Sequence, residues 1–262
     1  MQQRLPSMLR PPLMFAHRGA RAHETENTLA AFRLAVRLGA TGIESDVWMT
    51  SDGVAVLDHD GVVGSRLRRR KIADVPRADL PGHIPELRDL LDLAAQHGLA
   101  VSLDAKDPGV YAEVRALLAR YPGGFAERVF VCCEEFAVLS EIAPRFADLR
   151  LVDSTRLAKM KEGPERRLAV LAELGVTALN MHHSDWNGGL VTLAHRFERL
   201  AFAWDAQFEH TITDLLRMGA DAVYSDWVDR NGGCVARRAG IGVEPDETSR
   251  PIRASGNHAA AR

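Results

Sequence analysis

The stretch Leu13-Met14-Phe15-Ala16-His17-Arg18-Gly19 places a short apolar run directly before a histidine, an arginine and a glycine. A similar arrangement recurs in Gly42–Trp48, an apolar run that holds two acids, and in Ala100–Lys106, which ends on Asp-Ala-Lys. Polar side chains collected at the ends of parallel strands are the way in which a β/α barrel builds its site. These three stretches therefore predict barrel strands whose chemistry lies at one mouth.

Short apolar runs alternate with amphipathic stretches along most of the chain, which is the pattern of β/α units. Eight such steps follow one another, and the glycine-rich phosphate turn of a dinucleotide-binding sheet is absent. We therefore predict a single-domain TIM (β/α)8 barrel over residues 13–235, after an N-terminal extension over residues 1–12 and before a disordered tail over residues 236–262. The predicted barrel strands are Leu13–Ala16, Gly42–Trp48, Ala100–Leu103, Val129–Cys132, Leu149–Val152, Thr177–Leu179, Leu200–Ala203 and Ala220–Tyr224.

Local signals fill in the first half of the chain. Asn27 is predicted to cap a helix that runs to about Leu38, and a second helix is expected over Glu86–His97. Val54–Leu57 predicts a short extra strand, and Arg66–Lys71 predicts a solvated basic loop.

Composition excludes several function classes. The 33 basic and 35 acidic residues give a net charge of −2, which offers no support for nucleic-acid binding. No apolar stretch approaches the roughly 18–20 residues that a transmembrane segment needs. Three cysteines, of which Cys132 and Cys133 are adjacent, argue against a disulfide framework and for a reducing compartment. We therefore expect a cytoplasmic protein, and composition leaves its oligomeric state open.

Three carboxylates are candidates for metal binding. Glu44 and Asp46 stand two residues apart in a strand, so both side chains point to one face with Cα atoms about 6–7 Å apart. Two acids so placed repel each other unless a cation lies between them, and Mg²⁺ or Ca²⁺ suits oxygen ligands. Asp104 can supply a third carboxylate. The alternatives are surface acids on an edge strand and, for Asp104, an ordinary ion pair with Lys106.

Two histidines and an arginine suit phosphodiester chemistry. Arg18 offers a planar fork that matches two phosphate oxygens, and Lys106 offers a second charge. His59 lies beside Asp60, which could orient its ring. His17 and His59 on opposite sides of a P–O bond can act as base and acid. The alternative for His17 is a satisfied core histidine.

The residues from Phe15 to Gly61 closely resemble the signature of the glycerophosphodiester phosphodiesterase family, from His-Arg-Gly through Gly-Ile-Glu-Ser-Asp-Val to His59-Asp60. Later segments, up to Trp204 and Gly219–Asp226, are similar as well. The resemblance implies a TIM barrel that hydrolyses small-molecule glycerophosphodiesters to glycerol 3-phosphate and an alcohol with one divalent cation. It implies that His17 and His59 are catalytic, that Glu44, Asp46 and Asp104 hold the metal, and that Arg18, Lys106 and Trp204 bind substrate.

The chain also departs from the family pattern. The third metal carboxylate is commonly Glu in the family and is Asp104 here, and Trp204-Asp-Ala-Gln replaces the usual Trp-Thr-Val-Asn. These later strand ends shape the side of the pocket that receives the leaving group, so its preference stays open. Two other functions also stay open: a lysophospholipase D-like or sphingomyelinase D-like enzyme on the same barrel, and a barrel that binds phosphodiesters without cutting them.

Overall fold

The computed structural model describes residues 6–65 and 68–229, which form a closed barrel of eight parallel strands. In chain order the strands are β1 (Leu13–Ala16), β2 (Gly42–Met49), β3 (Ala55–Leu57), β4 (Val62–Val63), β5 (Arg70–Lys71), β6 (Ala100–Ala105), β7 (Val129–Cys133), β8 (Arg150–Thr155), β9 (Ala178–His182), β10 (Leu200–Trp204) and β11 (Ala222–Ser225). The helices are α1 (Leu29–Arg37), α2 (Leu87–His97), α3 (Val110–Leu118), α4 (Phe136–Ile142), α5 (Pro164–Glu173), α6 (Gly188–Arg196) and α7 (Glu209–Met218).

The barrel runs in the order β1-β11-β10-β9-β8-β7-β6-β2 and closes through a β1–β2 pairing. This is the predicted TIM barrel. Among the described residues, no helix is both long enough and apolar enough to cross a bilayer.

Aromatic rings fill the barrel interior. Phe15 stacks on Tyr224 at 4.7 Å between ring centroids and meets the edge of Phe130 at 6.1 Å. Gly42 makes room for this packing, because a Cβ atom there would lie 2.5 Å from the Phe15 ring. The interior below the pocket is therefore apolar and tightly filled, and the polar ends of the strands stand above it.

An excursion between β2 and α2 carries the second predicted histidine. β3 pairs antiparallel with the end of β2, and β4 and β5 form a separate two-stranded ribbon. The apolar side chains of the excursion pack together around Val56, Ile72 and Ile84, so the excursion has a small core of its own. His59 lies between β3 and β4, outside the barrel wall.

The structure corrects two local predictions. Asn27 does not cap the first helix: Thr28 does, since its side chain accepts the backbone N–H of Ala31. Arg70 and Lys71, predicted as loop, form β5 by pairing with Val62 and Val63. Both errors come from tertiary partners that a local signal does not contain.

Other bounds agree closely with the predictions. The helix predicted over Glu86–His97 is α2, with Glu86 as its N-cap. Every barrel strand except β1 reaches further than expected at its carboxyl end, so that Asp104 lies inside β6 rather than after it. The predicted tail, residues 236–262, lies outside the described residues.

Candidate functional site

One pocket of about 460 Å³ opens at the mouth of the barrel where the strands end. All the site residues predicted from the sequence line it: His17, Arg18, Glu44, Asp46, His59, Asp104, Lys106 and Trp204. The β1, β2, β6 and β10 segments and the excursion each contribute at least one of them. The pocket thus brings together residues that lie far apart in the sequence, from His17 after β1 to Trp204 at the end of β10.

His17 follows β1, and each of its two ring nitrogens has a carboxylate nearby. Its Nδ1 lies 2.6 Å from Asp226 Oδ1, and its Nε2 lies 3.9 Å from Glu44 Oε2. Burial alone lowers the pKa of His17, but Glu44 and Asp226 outweigh it, so that the pKa is raised above its ordinary value. Asp226 fixes the ring and directs Nε2 toward the pocket.

His59 is oriented by a residue that is adjacent to it in the sequence. Its Nδ1 lies 2.9 Å from Oδ1 of the next residue, Asp60. The loop itself is tied by the Gly61 N–H, which donates to Asp58 Oδ1 at 2.7 Å. The side chains of His59 and Asp60 are 42% and 63% exposed, against 28% and 24% for His17 and Asp226. The predicted orienting role of Asp60 therefore has a contact to support it.

The predicted cations are paired with the predicted metal ligands. Lys106 Nζ lies 2.6 Å from Asp104 Oδ2 and 3.5 Å from Asp46 Oδ1, and it also donates to Glu134 at 2.8 Å. Its position crosslinks the ends of β2, β6 and β7. These ion pairs hold Lys106 in the pocket beside Asp46 and Asp104.

Arg18 is tied to the same carboxylates by its backbone and its side chain. Its backbone N–H donates to Glu44 Oε2 at 2.9 Å. Its Nε lies 3.2 Å from Asp46 Oδ2, and Nη1 donates to Glu26 at 3.2 Å. Arg18 adopts a positive φ of 52°, a conformation uncommon outside glycine. The turn after β1 thus places a backbone N–H on Glu44 and a guanidinium beside Asp46.

The carboxylates suit a divalent cation. Burial and the nearby charges of Asp46 and Asp104 raise the pKa of Glu44 to about 7, although His17 opposes the shift. Burial raises the pKa of Asp104 to about 6 against the pull of Lys106. Oδ1 of Asp104 is buried and has no hydrogen-bond partner among the described residues. Crowded acids with an unpartnered oxygen are the donor set that Mg²⁺ or Ca²⁺ takes, so these residues fit such an ion.

Asn27 supports the acids from beneath. Its Nδ2 donates to Asp46 Oδ2 at 3.1 Å, and its Oδ1 accepts from Ser45 at 2.6 Å. The residue predicted as a helix cap is therefore a fully paired, buried amide that orients a candidate ligand. Such an outer hydrogen bond fixes how a ligating carboxylate points.

A different trio has the closest spacing of ligand atoms. Of the described residues, His182, His183 and Asp205 bring one ligand atom each within 4.8 Å of one another, which the three predicted acids do not. The ring of His182 is already engaged, because its Nδ1 accepts the Ser184 N–H at 3.2 Å and its Nε2 lies 3.1 Å from Asp205 Oδ2. That pattern assigns the ring proton to Nε2, pointing at the aspartate. A metal on Nε2 would have to displace this proton.

Trp204 and its neighbours form the opposite wall. The guanidinium of Arg156 lies 5.6 Å above the Trp204 ring, and the ring of His182 meets its edge at 4.6 Å. Arg156 is itself fixed by two hydrogen bonds to Asp185. The aromatic wall predicted at Trp204 is therefore rigid and partly covered by the chain's own cation.

Sequence reasoning missed several members of the site. In the sequence, Asp226 belonged only to a segment that is similar to the family, and no role was assigned to it. It follows β11 directly, just as the other site residues lie at the ends of their strands. Glu134, Ser154 and Asn180 also line the pocket. Scanning every strand end for polar residues, not only the early ones, would have found all four.

Comparisons with known proteins agree with this architecture. The model of the glycerophosphoryl diester phosphodiesterase family matches residues 17–230. A glycerophosphodiester phosphodiesterase from Bacillus altitudinis is 25% identical over 250 residues, covering 83% of this chain and 95% of the relative. Human glycerophosphodiester phosphodiesterase 1 is 39% identical over 108 residues, which are 35% of this chain and 33% of the relative. The match thus spans a third of the human protein's length.

Solved structures share the fold. A Silicibacter pomeroyi protein assigned to the same family superposes with a TM-score of 0.75 at 23% identity, covering 90% of this chain and 96% of its own. A phosphodiesterase from Oleispira antarctica, solved in complex with the product sn-glycerol-3-phosphate, gives a TM-score of 0.73 at 22% identity and covers 86% and 97%.

Proposed function

The chain belongs to the glycerophosphoryl diester phosphodiesterase family, and on this basis we propose that it hydrolyses glycerophosphodiesters to glycerol 3-phosphate and an alcohol. The observation that supports this most strongly is the meeting of two carboxylate-bound histidines, three acids and two basic side chains in one pocket. The product bound by the Oleispira antarctica phosphodiesterase supports the same reaction.

We propose that His17 is the general base. Asp226 accepts a hydrogen bond from the Nδ1–H of His17, which leaves the lone pair of Nε2 available in the pocket. His17 then takes a proton from the nucleophile, which is either water or the neighbouring hydroxyl of the glycerol group. The raised pKa of His17 makes it a stronger base once it is deprotonated.

His59 completes the transfer as the general acid. With Asp60 at Nδ1, its Nε2 is the nitrogen available to donate a proton to the leaving alcohol. The bond from the nucleophile oxygen to phosphorus forms as the P–O bond to the alcohol breaks and that proton arrives. Where the nucleophile is the glycerol hydroxyl, water then opens the resulting cyclic phosphate to give glycerol 3-phosphate, with the two histidines in reversed roles. Each histidine contributes a factor of about 10²–10⁴ in rate, which is typical for a positioned acid or base.

Glu44, Asp46 and Asp104 would hold one divalent cation, Mg²⁺ or Ca²⁺. When bound, this ion supplies positive charge that stabilises the oxygens of the phosphoryl group as their charge grows. Arg18 and Lys106 add fixed charge beside the same acids and bind the phosphate oxygens. Arg18 is suited to two oxygens at once by its planar fork. We also propose that the enzyme acts in a reducing compartment, in keeping with its buried free thiols at Cys132 and Cys133.

An assay of glycerol 3-phosphate release tests the proposal. Purified enzyme is given a panel of glycerophosphodiesters with Mg²⁺, with Ca²⁺ and with chelator, and the products are followed by phosphorus NMR. We expect ion-dependent release that His17→Ala nearly abolishes. His97→Ala is the matched control, because His97 ends α2 on the surface, away from the pocket. Absence of release from every diester would refute the proposal, and accumulation of a cyclic phosphate would favour a lyase.

A further inference from the structure

Asn180 carries a polar atom that the fold leaves unpaired. It lies on β9, lines the pocket and is only 5% exposed. Its Nδ2 donates to Ser154 Oγ at 3.2 Å, but its Oδ1 is buried and has no hydrogen-bond partner among the described residues. An unsatisfied buried carbonyl is costly and rare in native proteins, so it calls for a partner from outside the fold.

Exchanging the oxygen and the nitrogen of the Asn180 amide does not give both of its ends a hydrogen-bond partner. Turning the amide by 180° would place the carbonyl oxygen on Ser154 and leave the NH₂ group without a partner. One hydrogen-bonding group of Asn180 therefore faces the pocket unpaired in either orientation. Asn27, the other buried amide near the site, differs because both of its ends are paired.

The strand order places Asn180 across the pocket from the acids. Counted around the closed barrel, β9 is the fourth strand from β2 in either direction, so it is diametrically opposite Glu44 and Asp46. Ser154 pairs directly with Asn180 in the β8–β9 register. If the phosphate of a diester is bound near β2, the group that contacts Asn180 is therefore one of the organic arms of the diester and not the phosphate.

The chemistry of the pair selects a hydroxyl. The amide group is neutral, and the Ser154 oxygen that accepts from Nδ2 still has its own proton to donate. The ring of Trp204, which ends the neighbouring strand β10 and lines the pocket, supplies apolar surface for carbon atoms. A neutral donor and acceptor beside apolar surface is suited to an alcohol carbon chain rather than to a charged group.

We propose that Asn180, together with Ser154, binds a hydroxyl of the substrate that lies away from the phosphate ester. This rests on the proposed function. The hydroxyl has two possible sources: the terminal position of the glycerol group, which every substrate shares, or a polyol leaving group. Asn180 would in this way distinguish hydroxylated arms from apolar ones.

Three substrates separate these sources. Glycerophosphocholine has hydroxyls only in its glycerol group, and 2-hydroxypropyl phosphocholine lacks the terminal one while keeping the hydroxyl next to the ester carbon. Glycerophosphoinositol adds a polyol leaving group. The measurement is kcat/KM of wild type, Asn180→Leu and Ser154→Ala on each. A wild type that cleaves none of the three refutes the proposed function itself, whatever the variants do.

For a terminal glycerol hydroxyl, we expect Asn180→Leu to lose about 10- to 100-fold on glycerophosphocholine and less than about 3-fold on 2-hydroxypropyl phosphocholine. For a polyol leaving group, the loss is confined to glycerophosphoinositol. In both cases Ser154→Ala follows the same substrate pattern with a smaller loss. Equal losses on all three substrates, or none on any, would overturn the assignment.

Thermal unfolding excludes a merely structural role. Asn180→Leu replaces an amide whose Oδ1 is unpaired in the free enzyme and whose Nδ2 makes one hydrogen bond, so we expect its Tm to stay close to that of wild type. Asn27→Leu, the matched variant at a fully paired amide, is expected to lower the Tm. A drop in Tm for Asn180→Leu as large as that for Asn27→Leu would contradict the proposal.

Discussion

The pocket contains two histidines that are each held by an aspartate, but the two pairs are built differently. His17 and Asp226 are 209 residues apart and meet only because β1 and β11 are neighbours in the closed barrel. His59 and Asp60 are adjacent in sequence and lie on an exposed excursion. The first pair therefore depends on the whole fold, whereas the second depends on one loop.

The difference extends to what surrounds each ring. His17 is bracketed by a second carboxylate, Glu44, and its backbone N–H donates to the carbonyl of Ser225 at 3.1 Å. His59 has open solvent on much of its surface, and its loop is fixed by the Asp58–Gly61 hydrogen bond. In the proposed mechanism, His17 is thus a base held firmly beside the acids, and His59 is an acid at the exposed rim of the pocket.

The largest expected effect comes from removing either ring. His17→Ala and His59→Ala should each lower kcat by about 10²–10⁴. A glycerophosphodiester with a nitrophenol leaving group separates their roles, because such an alcohol departs without a proton. On that substrate we expect the loss in His59→Ala to shrink while the loss in His17→Ala persists. Equal losses for both variants on this substrate would contradict the assignment of acid and base.

Next in size is the effect of the orienting aspartates. Asp226→Asn should lower kcat by about 100-fold, because the amide no longer selects the Nδ1–H form of His17. Asp60→Asn should cost less than about 10-fold, since an exposed ring is also oriented by water. The kcat values of the two variants measured side by side give the test. A larger loss at Asp60 would reverse the comparison.

A smaller effect is expected from distorting the loop alone. Gly61 has a φ of +66°, and a Cβ atom there would lie 2.5 Å from the Trp48 ring. Gly61→Ala should therefore displace His59 and lower kcat/KM by about 10-fold. The barrel strands do not pass through this turn, so the Tm should fall by only a few degrees.

Gly53→Ala is the matched control for the loop. Gly53 also has a positive φ, +79°, but a Cβ atom added there meets nothing within 4 Å. It carries the same backbone strain without the clash against an aromatic ring. Activity close to wild type in Gly53→Ala, beside the loss in Gly61→Ala, would attribute the effect to the position of His59. Equal losses in the two variants would attribute it to strain.

The comparison also explains how far the sequence could predict the site. The sequence could assign Glu44 and Asp46 to one face because the alternation of side chains along a strand is a local pattern. It could assign Asp104 to the site because the end of an apolar run is also visible locally. His59–Asp60 was visible for the same reason. Asp226 was not assigned to His17, because no local pattern joins residues so far apart. Asn27 was interpreted as a cap since asparagine is common there, and only the fold shows its bonds to Ser45 and Asp46.

The smallest expected effect is a shift in pH dependence. The carboxylates of Glu44 and Asp226 raise the pKa of His17 against the effect of burial, and a base acts only when deprotonated. The activity of wild type should therefore fall as the pH drops through this raised pKa. Asp226→Asn removes one of the two charges, so the pKa of His17 should decrease and the acidic limb of kcat/KM should move to lower pH.

Asp60→Asn provides the contrast for the pH profile. Asp60 touches His59 and not His17, so its replacement should leave the limb set by His17 in place. The measurement is kcat/KM against pH for wild type and both variants at constant ionic strength and saturating divalent ion. A limb that moves in Asp60→Asn and stays fixed in Asp226→Asn would assign the titrating base to His59. In that case the His17–Asp226 pair would be the acid and the His59–Asp60 pair the base.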